Sequence, residues 1–527
     1  MLLTETQHGT IMTNAPKPLK LPIGIQDFGD LRNEGYVYID KTAVIHDLLT
    51  TGKYYFLSRP RRFGKSLTLS VIKNLYMGQR HLFQDLWIES RWNWQKQYPV
   101  LNFSFSKIDY QGSGLEEALK QMLRQAAQEH GVILHSDSIK NLFSELIDKL
   151  YQSKGKVVLL LDEYDKPLID YLDNIEKAKA HQQTLKAFYS ILKDSSAKIE
   201  FLLITGVSKF SQVSIFSDLN HLKDITLHPR YVNLVGYTQN EIEHYFGSRI
   251  HELASIAGRS FAEQIALIRE WYNGYSWGES ITLYNPFSLM SYLDTGQFNN
   301  YWFSTGTPTF LLKLMRKKWV YEINEVEVDE LAFATYDVEA LQVYPMLFQT
   351  GYLTIKAHNE LNIYRLGYPN REVKEAMLRY LIAEIQHSET ASGKPTIFQL
   401  RQAFYDNNME SLVRIINSIF KNIPYHIFIA EAESYYHSLI YLVFFYLGQY
   451  AESEVNTSNG RLDCVVKTPS HIYIIEFKLN KSAEAAIQQI KNKGYADKYQ
   501  TDSRQKVLLG INFSSTEKSV SDWKTEN

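Results

Sequence analysis

Cysteine is nearly absent from this sequence, which has only Cys464 among 527 residues. A single cysteine excludes an intramolecular disulfide framework and a cysteine-rich zinc site. The chain also lacks a strong charge, because its formal net charge is −2 at pH 7. Nucleic-acid binding would therefore require local basic patches. The most apolar stretch, LIYLVFFYLG at 439–448, is too short to span a bilayer. Since no signal-peptide pattern is found either, the sequence predicts a cytoplasmic protein that does not bind membranes.

The residues that are abundant indicate several well-packed domains. Tyrosine (36) and phenylalanine (27) are frequent, and 45% of all residues are hydrophobic, which is typical of folded cores rather than of disorder. A prior of about 150 residues per domain predicts roughly three domains. The pattern along the chain predicts a flexible tail at 1–18, a nucleotide-binding core at 19–236, a mainly helical lid or linking region at 237–393 and a small α/β domain at 394–527. The segment SGKPT at 392–396 is the predicted linker.

Short apolar runs alternate with helical stretches in the core. Continuous apolar strands separated by helices predict a parallel sheet with helices on both faces, and therefore an α/β fold. The predicted core strands are 53–60, 98–106, 156–165 and 199–208, with a helix at 66–78. The middle region carries a predicted β-hairpin near 351–367. In the last domain we predict helices at about 434–449 and 482–499 and strands at 461–467, 471–478 and 506–514.

The stretch SRPRRFGKS at 58–66 ends in the way that a phosphate-binding loop ends. In such a loop, backbone N–H groups and the helix N-terminus face the phosphates, the lysine reaches the outer ones, and the hydroxyl binds Mg²⁺. Gly64, Lys65 and Ser66 are the candidates for these roles. The phosphate-loop pattern G-x-x-x-x-G-K-[ST] also requires glycine five residues before Gly64, where this chain has Arg59. Three arginines, Arg59, Arg61 and Arg62, would add positive charge beside phosphates. The alternative is a basic turn on a solvated face.

Two further segments support a nucleotide site. VVLLLDE at 157–163 places Asp162 at the end of an apolar strand, where it can hold Mg²⁺ through water, and Glu163 beside it, where it can orient the attacking water. LLITGVSKFS at 202–211 ends another strand in Thr205 and Ser208, which could sense the γ-phosphate. For these two hydroxyls, ordinary capping of the strand end is the alternative.

A second group of charged residues lies near the C-terminus. GRLDCVV at 460–466 and YIIEFKL at 473–479 contain Asp463, Glu476 and Lys478. Residues i and i+2 of a strand share a face, so Glu476 and Lys478 project together, with Asp463 on the neighbouring strand of a hairpin. Two carboxylates can bind Mg²⁺, which lowers the pKa of a bound water, and a lysine can assist its attack. A structural Glu476–Lys478 pair is the alternative.

Basic residues follow these acids. Lys491 and Lys493 lie on the predicted helix in a stretch, 478–506, in which lysine and arginine outnumber acids. Such a helix would attract phosphates in a salt-dependent way. A solvated helix face is the alternative.

The quoted loop, IGIQDFGDLRNEGYVYIDKT at 23–42, LLLDEYDKP at 159–167 and TGVSKFSQVSIFSDLNHLKDIT at 205–226 together resemble the bacterial AAA-ATPase-like family. The resemblance covers roughly residues 20 to 250. It implies a P-loop ATPase fold in which RPRRFGKS is the usual form of the loop, so that the arginine-rich head is a family trait.

The C-terminal acids and lysine resemble the PD-(D/E)xK nuclease superfamily, over about residues 400 to 515. This resemblance implies a restriction-endonuclease-like α/β domain and a helix with Gln489 and Tyr495 that contacts nucleic acid. It also implies an acid from the first helix, for which Glu433 is preferred and Glu454 on the next strand is the alternative. The proline of the motif's name is absent, because Leu462 precedes Asp463.

The leading functional hypothesis is an ATPase, with ATP and Mg²⁺ as cofactors, coupled to a Mg²⁺-dependent nuclease domain. The competing hypothesis is a nucleotide-switched interaction module whose nuclease-like domain binds without cleaving. The intact set of Asp463, Glu476 and Lys478 favours the enzyme. The expected partner is nucleic acid, DNA in the first instance, while RNA and self-association of the chain stay open.

Overall fold

The computed structural model describes most of the chain. The described residues are 20–209, 222–278, 281–303, 309–318, 320, 323, 325–333, 341–386, 393–421, 432–448, 452–458, 461–517 and 519–527. The predicted tail at 1–18 lies outside them.

The helices of the described residues are numbered in chain order. They are α1 Phe28–Asn33, α2 Thr42–Thr51, α3 Lys65–Tyr76, α4 Leu115–Glu129, α5 Ile139–Lys154, α6 Lys166–Ile169, α7 Ile175–Tyr189, α8 Ile191–Asp194, α9 Gln239–Ile256, α10 Phe261–Tyr272, α11 Pro286–Thr295, α12 Thr309–Lys317, α13 Val343–Thr350, α14 Arg371–Gln386, α15 Gly393–Tyr405, α16 Met409–Lys421, α17 Ala432–Leu447 and α18 Ala483–Asn492. None of these described helices is long and apolar enough to cross a bilayer.

The strands form three sheets. They are β1 Tyr54–Ser58, β2 Val100–Ser104, β3 Val157–Asp162, β4 Ile199–Gly206, β5 Lys223–Asp224, β6 Val326–Val328, β7 Thr354–His358, β8 Tyr364–Gly367, β9 Glu452–Ser458, β10 Arg461–Lys467, β11 His471–Leu479, β12 Gln505–Ser514 and β13 Ser519–Glu526.

The first sheet has the order β2-β3-β4-β1-β5, and its strands are parallel. β3 is buried along its whole length and β4 nearly so, as expected for a parallel sheet with helices on both faces. This confirms the predicted α/β fold and the strands on which it was based. Since carboxyl ends of parallel strands meet at one edge, the ends of β1, β3 and β4 lie side by side.

The middle region is mainly helical and contains the predicted hairpin, β7 and β8, to which β6 adds a third strand. Residues 393–396 of the predicted linker are helical, because α15 begins at Gly393, whereas Ser392 lies outside the described residues. Pro395 lies in the first turn of this helix, where a missing backbone N–H is tolerated. Buried Ile397, Leu400 and Phe404 anchor the helix in a core that extends from the first sheet into the C-terminal domain.

The C-terminal sheet has the order β13-β12-β11-β10-β9, in which only β11 and β12 are parallel. Along β11, Ile474 packs under α18, whereas Phe477 packs against Phe444 of α17 on the opposite face. Gly510 lets α18 approach closely, since a Cβ atom there would lie 2.3 Å from the Ala483 carbonyl oxygen. The helix predicted at 482–499 ends earlier, at Asn492, where Gly494 with φ 63° turns the chain.

Candidate active sites

The turn between β1 and α3 has the geometry of a phosphate loop. Gly64 is the N-cap residue of α3 with φ 94° and ψ 17°, a left-handed conformation that glycine adopts without strain. Arg62 also has a positive φ, 67°. The turn therefore presents the N-terminus of α3, with its unpaired N–H groups, to the cavity that lies in front of it.

Lys65 is held by the loop that precedes it. Its Nζ donates to the carbonyl oxygens of Arg59 at 2.8 Å and Pro60 at 3.0 Å. An ammonium group has three N–H donors, so a third remains for an anion in the cavity that Lys65 lines. Burial lowers the pKa of Lys65, and the carboxylates of Asp162, Glu163 and Asp165 oppose this effect, while Arg61 adds to it.

The cavity in front of α3 has a volume of about 340 Å³, within the usual range for small-molecule sites. Its polar end is formed by the loop and by Glu163 and Lys166, and its more apolar wall by the segment 22–26 and the start of α11. The lining residues are Pro22, Gly24, Ile25, Gln26, Arg61, Arg62, Gly64, Lys65, Ser66, Leu67, Ser106, Glu163, Lys166, Tyr237, Pro286, Phe287 and Met290.

Asp162 connects three of the predicted residues. Its Oδ2 accepts from the Ser66 hydroxyl at 2.6 Å, and its Oδ1 accepts from the Thr205 hydroxyl at 2.6 Å. β3, β4 and α3 thus meet at one carboxylate, directly beside Lys65. The serine hydroxyl and the aspartate are oxygen donors of the kind that Mg²⁺ prefers.

Glu163 follows at the cavity wall in an unusual backbone conformation. Its φ is 53°, in the left-handed region that a non-glycine residue seldom occupies. Such conformations persist where the surrounding structure enforces them, often at functional sites. Because Glu163 lines the cavity, this unusual backbone conformation lies at the candidate site.

Ser208, like Thr205, is buried and does not line the cavity. Its hydroxyl donates to Asp165 Oδ2 at 2.7 Å, and the same oxygen accepts from the backbone N–H groups of Ser208 at 2.7 Å and Val207 at 3.0 Å. Burial raises the pKa of Asp165, and these hydrogen bonds oppose the rise. Sequence reasoning missed Asp165. The signal was a further acid, three residues after Asp162, in the run DEYD.

The prediction that Arg59 adds charge beside phosphates needs correction. Its side chain does not line the cavity, whereas those of Arg61 and Arg62 do. Its buried guanidinium lies 4.0 Å from the ring of Trp277 and donates to the carbonyl oxygens of Thr226 at 2.7 Å and Ser58 at 2.9 Å. The residue directly follows a buried strand, so its side chain continues into the protein interior. The buried position of Arg59 therefore contradicts the predicted phosphate contact of its side chain.

The C-terminal site is built on neighbouring strands. Asp463 of β10 is the direct ladder partner of Glu476 of β11, and such pairs share a face with Cβ atoms about 4.5–5.5 Å apart. The side chain of Asp463 lies outside the described part of the structure, as do those of Glu433 and Glu454. By backbone, Glu433 lies in α17, while Glu454 pairs with Val465, two residues from Asp463. The register therefore places Glu454 on the face that carries Asp463.

Glu476, Lys478 and Gln489 form a closed triangle of hydrogen bonds. Lys478 Nζ donates to Glu476 Oε1 at 2.8 Å and to Gln489 Oε1 at 2.6 Å, and Gln489 Nε2 donates to Glu476 Oε1 at 2.6 Å. Glu476 is fully buried. Among the residues whose side chains are described, no group of three or more histidines, cysteines or acids could hold a metal ion. A metal site here would need Asp463 in addition.

The other residues predicted to bind nucleic acid have different surroundings. Lys491 forms an ion pair with Glu526, which Lys524 also contacts at 3.4 Å. Lys493 is exposed, and Tyr495 is half-buried against the cluster under α18. Part of the positive charge predicted for this helix is therefore neutralised, although Lys491 and Lys493 are both exposed.

The comparisons with known proteins agree with this arrangement. Residues 22–216 match the family described as predicted AAA-ATPase, and residues 431–523 match the PD-(D/E)XK nuclease superfamily. A protein of Azotobacter chroococcum mcd 1, described as an uncharacterized protein in the vnfD 5′ region, is 38% identical over 528 residues, covering 96% of this chain and 99% of that protein. No solved structure matches significantly. The chain belongs to the predicted AAA-ATPase family and carries a C-terminal domain of the PD-(D/E)XK nuclease superfamily.

Proposed function

We propose that the chain binds and hydrolyses ATP at the Lys65 cavity and that its C-terminal domain cleaves nucleic acid phosphodiesters with Mg²⁺. The observation that carries the ATPase assignment is the convergence of Lys65, Ser66, Asp162 and Glu163 at the carboxyl edge of the first sheet. Such a site acts chiefly by positioning the phosphates and stabilising charge.

Each residue at this edge has a specific role in the proposal. The third N–H of Lys65 and the N-terminal amides of α3 bind the phosphates, with Arg61 and Arg62 adding charge at the cavity wall. Ser66 and Asp162 would hold Mg²⁺, which neutralises phosphate charge when bound. Glu163 orients the attacking water. Thr205 holds Asp162 in place through a hydrogen bond to Oδ1, the carboxylate oxygen that Ser66 does not contact. The apolar wall at Phe287 and Met290 accommodates the base.

The nuclease assignment is supported by the ladder pairing of Asp463 with Glu476 and by the contact of Lys478 with that glutamate. The two carboxylates would hold Mg²⁺, which supplies a water of lowered pKa. Lys478 stabilises the charge that develops on the phosphate, and Gln489 orients both Glu476 and Lys478. Glu454 is the candidate for a further acid that the register favours.

The test uses the full-length protein with labelled DNA and RNA, each with and without ATP and Mg²⁺. Glu163→Gln should lower ATP turnover by at least about tenfold, and Glu476→Gln should abolish cleavage, since each variant keeps the side-chain shape but loses a carboxylate. Exposed Glu176→Gln and Glu484→Gln are the matched controls and should leave both activities unchanged.

Cleavage that survives in Glu476→Gln would contradict the nuclease assignment. If the wild-type protein binds nucleic acid but cleaves neither DNA nor RNA under any of these conditions, the chain is a nucleotide-switched binding module, with Glu476 and Lys478 as a structural pair.

A further inference from the structure

The head of the phosphate loop, Arg59-Pro60-Arg61, is contacted residue by residue from the middle region. The Arg59 guanidinium lies over the ring of Trp277, and the indole Nε1 of Trp302 donates to the Arg61 carbonyl oxygen at 3.1 Å. These partners are far away in sequence: Trp302 follows Arg61 by 241 residues.

Pro60, between the two arginines, packs against Gly351. A Cβ atom at Gly351 would lie 2.7 Å from the Cβ and Cγ atoms of Pro60, and the φ of Gly351 is 91°. Both observations require glycine, so the proline touches the backbone of the middle region directly. Arg59, Pro60 and Arg61 are therefore each in contact with this region.

The same head holds the lysine of the site. The two acceptors of Lys65 Nζ are the carbonyl oxygens of Arg59 and Pro60. A shift of the head would move these carbonyls, and with them the direction of the remaining N–H of Lys65. Shifts of about 1 Å in a positioning group are enough to affect binding and turnover strongly.

Trp302 is itself fixed from behind. Its backbone N–H donates to Glu372 Oε1 at 2.7 Å, and Glu372 lies in the first turn of α14. α14 packs against α17 of the C-terminal domain, where Lys374 lies 3.9 Å from the ring of Phe445. The contact on the loop is thus connected through α14 to α17.

We propose that the middle region positions Lys65 through the Arg59-Pro60-Arg61 head, with Trp277 and Trp302 as positioning residues for nucleotide binding. The proposal rests on the proposed function, because it concerns the same nucleotide site. The proposal also accounts for Arg59, whose side chain does not line the cavity. The head is the surface through which the middle region holds the loop.

The experiment measures the dissociation constant of a fluorescent, non-hydrolysable ATP analogue for the full-length protein. Trp302→Phe removes the indole N–H but keeps an aromatic ring. Trp92→Phe is its matched control, because Trp92 Nε1 also donates to a carbonyl oxygen at 3.1 Å, that of Leu75 near the far end of α3. Loss of one hydrogen bond predicts an approximately fivefold weaker affinity for Trp302→Phe and a change below about twofold for Trp92→Phe.

Arg59→Met separates positioning from stability. Nε and Nη2 of Arg59 have no hydrogen-bond partner among the described residues, whereas Nη1 donates to the carbonyl oxygens of Thr226 and Ser58. Exchanging this buried guanidinium for an apolar side chain of similar length removes the cost of the unpaired donors together with these two bonds, so the melting temperature should change little. Affinity should nevertheless fall about fivefold, because the stack on Trp277 is lost.

The outcomes distinguish the two proposals. Weaker nucleotide binding in Trp302→Phe and Arg59→Met, with Trp92→Phe unchanged, supports the positioning role. Equal affinities in all variants, or losses that only follow the melting temperature, overturn it and leave the nucleotide site intact. A wild-type protein that binds no nucleotide overturns the proposed function and the positioning role together.

Discussion

Replacement of Glu372 by glutamine should remove a pH dependence of stability that is built into the middle region. Glu372 is fully buried in the first turn of α14, and its Oε1 accepts from the Trp302 backbone N–H. Burial raises its pKa from the ordinary value of 4.5 to about 8, and the hydrogen bonds that it accepts oppose the rise. The folded protein therefore keeps a proton on Glu372 at neutral pH that the unfolded chain releases.

The direction and size of the pH effect on stability follow from this difference in the pKa of Glu372 between the folded and unfolded states. A raised pKa in the folded state contributes stability that is fully present below pH 4.5 and is lost as the pH rises to about 8. Between these values the free energy of unfolding should fall by about 1.4 kcal/mol for each pH unit, or about 5 kcal/mol in total. Glutamine preserves the acceptor for Trp302 and has no charge to bury, so the variant should not show this loss.

The assay is thermal unfolding of the wild type and Glu372→Gln between pH 5.5 and 8. The difference in melting temperature should grow with pH in favour of the variant, because other titrating groups contribute equally to both proteins. Glu145→Gln is the control of opposite sign. Contacts with Lys149 and with the backbone of Ser136 and His135 lower the pKa of Glu145 to about 2, so its contribution is lost only in acid.

A difference between wild type and Glu372→Gln that stays constant from pH 5.5 to 8 would refute the reasoning. It would mean that Glu372 is ionised in the folded protein, with a compensating charge or water at its carboxylate. A Glu145→Gln difference that grows in the same direction would instead assign the effect to the buffer or to aggregation.

Three predictions concern the sites. Lys65→Ala should abolish measurable binding of the ATP analogue, since it removes the side chain that reaches the outer phosphates; isothermal titration tests this. Glu163→Gln should bind the nucleotide with near wild-type affinity but lower steady-state ATP hydrolysis by at least about tenfold, because only water activation is lost; equal turnover would remove Glu163 from the site. Gln489→Ala should reduce Mg²⁺-dependent cleavage and lower the melting temperature, since Glu476 and Lys478 each lose a buried hydrogen bond; a normal cleavage rate would show that the triangle is only structural.

The sequence alone identified the features that depend on neighbouring residues. An apolar strand, a glycine able to adopt φ 94° and a lysine at the start of a helix are local properties, so the loop at Gly64 and Lys65 could be predicted. The acids at the end of β3 were found in the same way. The pairing of Asp463 with Glu476 was predicted because a short hairpin fixes the register of its two strands.

Local reasoning failed where a side chain has distant partners. Arg59 has the charge of a phosphate ligand, yet its surroundings are Trp277 and Thr226, which follow it by about 220 and 170 residues. The segment 392–396 has a linker's composition, but its residues 393–396 lie in α15, whose Ile397 and Leu400 are buried. In the sequence, Asp165 cannot be distinguished from the acids beside it. Its role in binding Ser208, just after β4, is visible only in the structure.

The sequence by itself determined which chemistry the two sites could support, because residue type and spacing within a strand or turn set that chemistry. Only the tertiary structure decided how the sites are supported. The packing of Trp302 on the phosphate loop and the approach of α18 to Gly510, which brings Gln489 to Glu476, join segments distant in the chain. Such contacts depend on how whole elements pack together, and no short stretch of sequence specifies that packing.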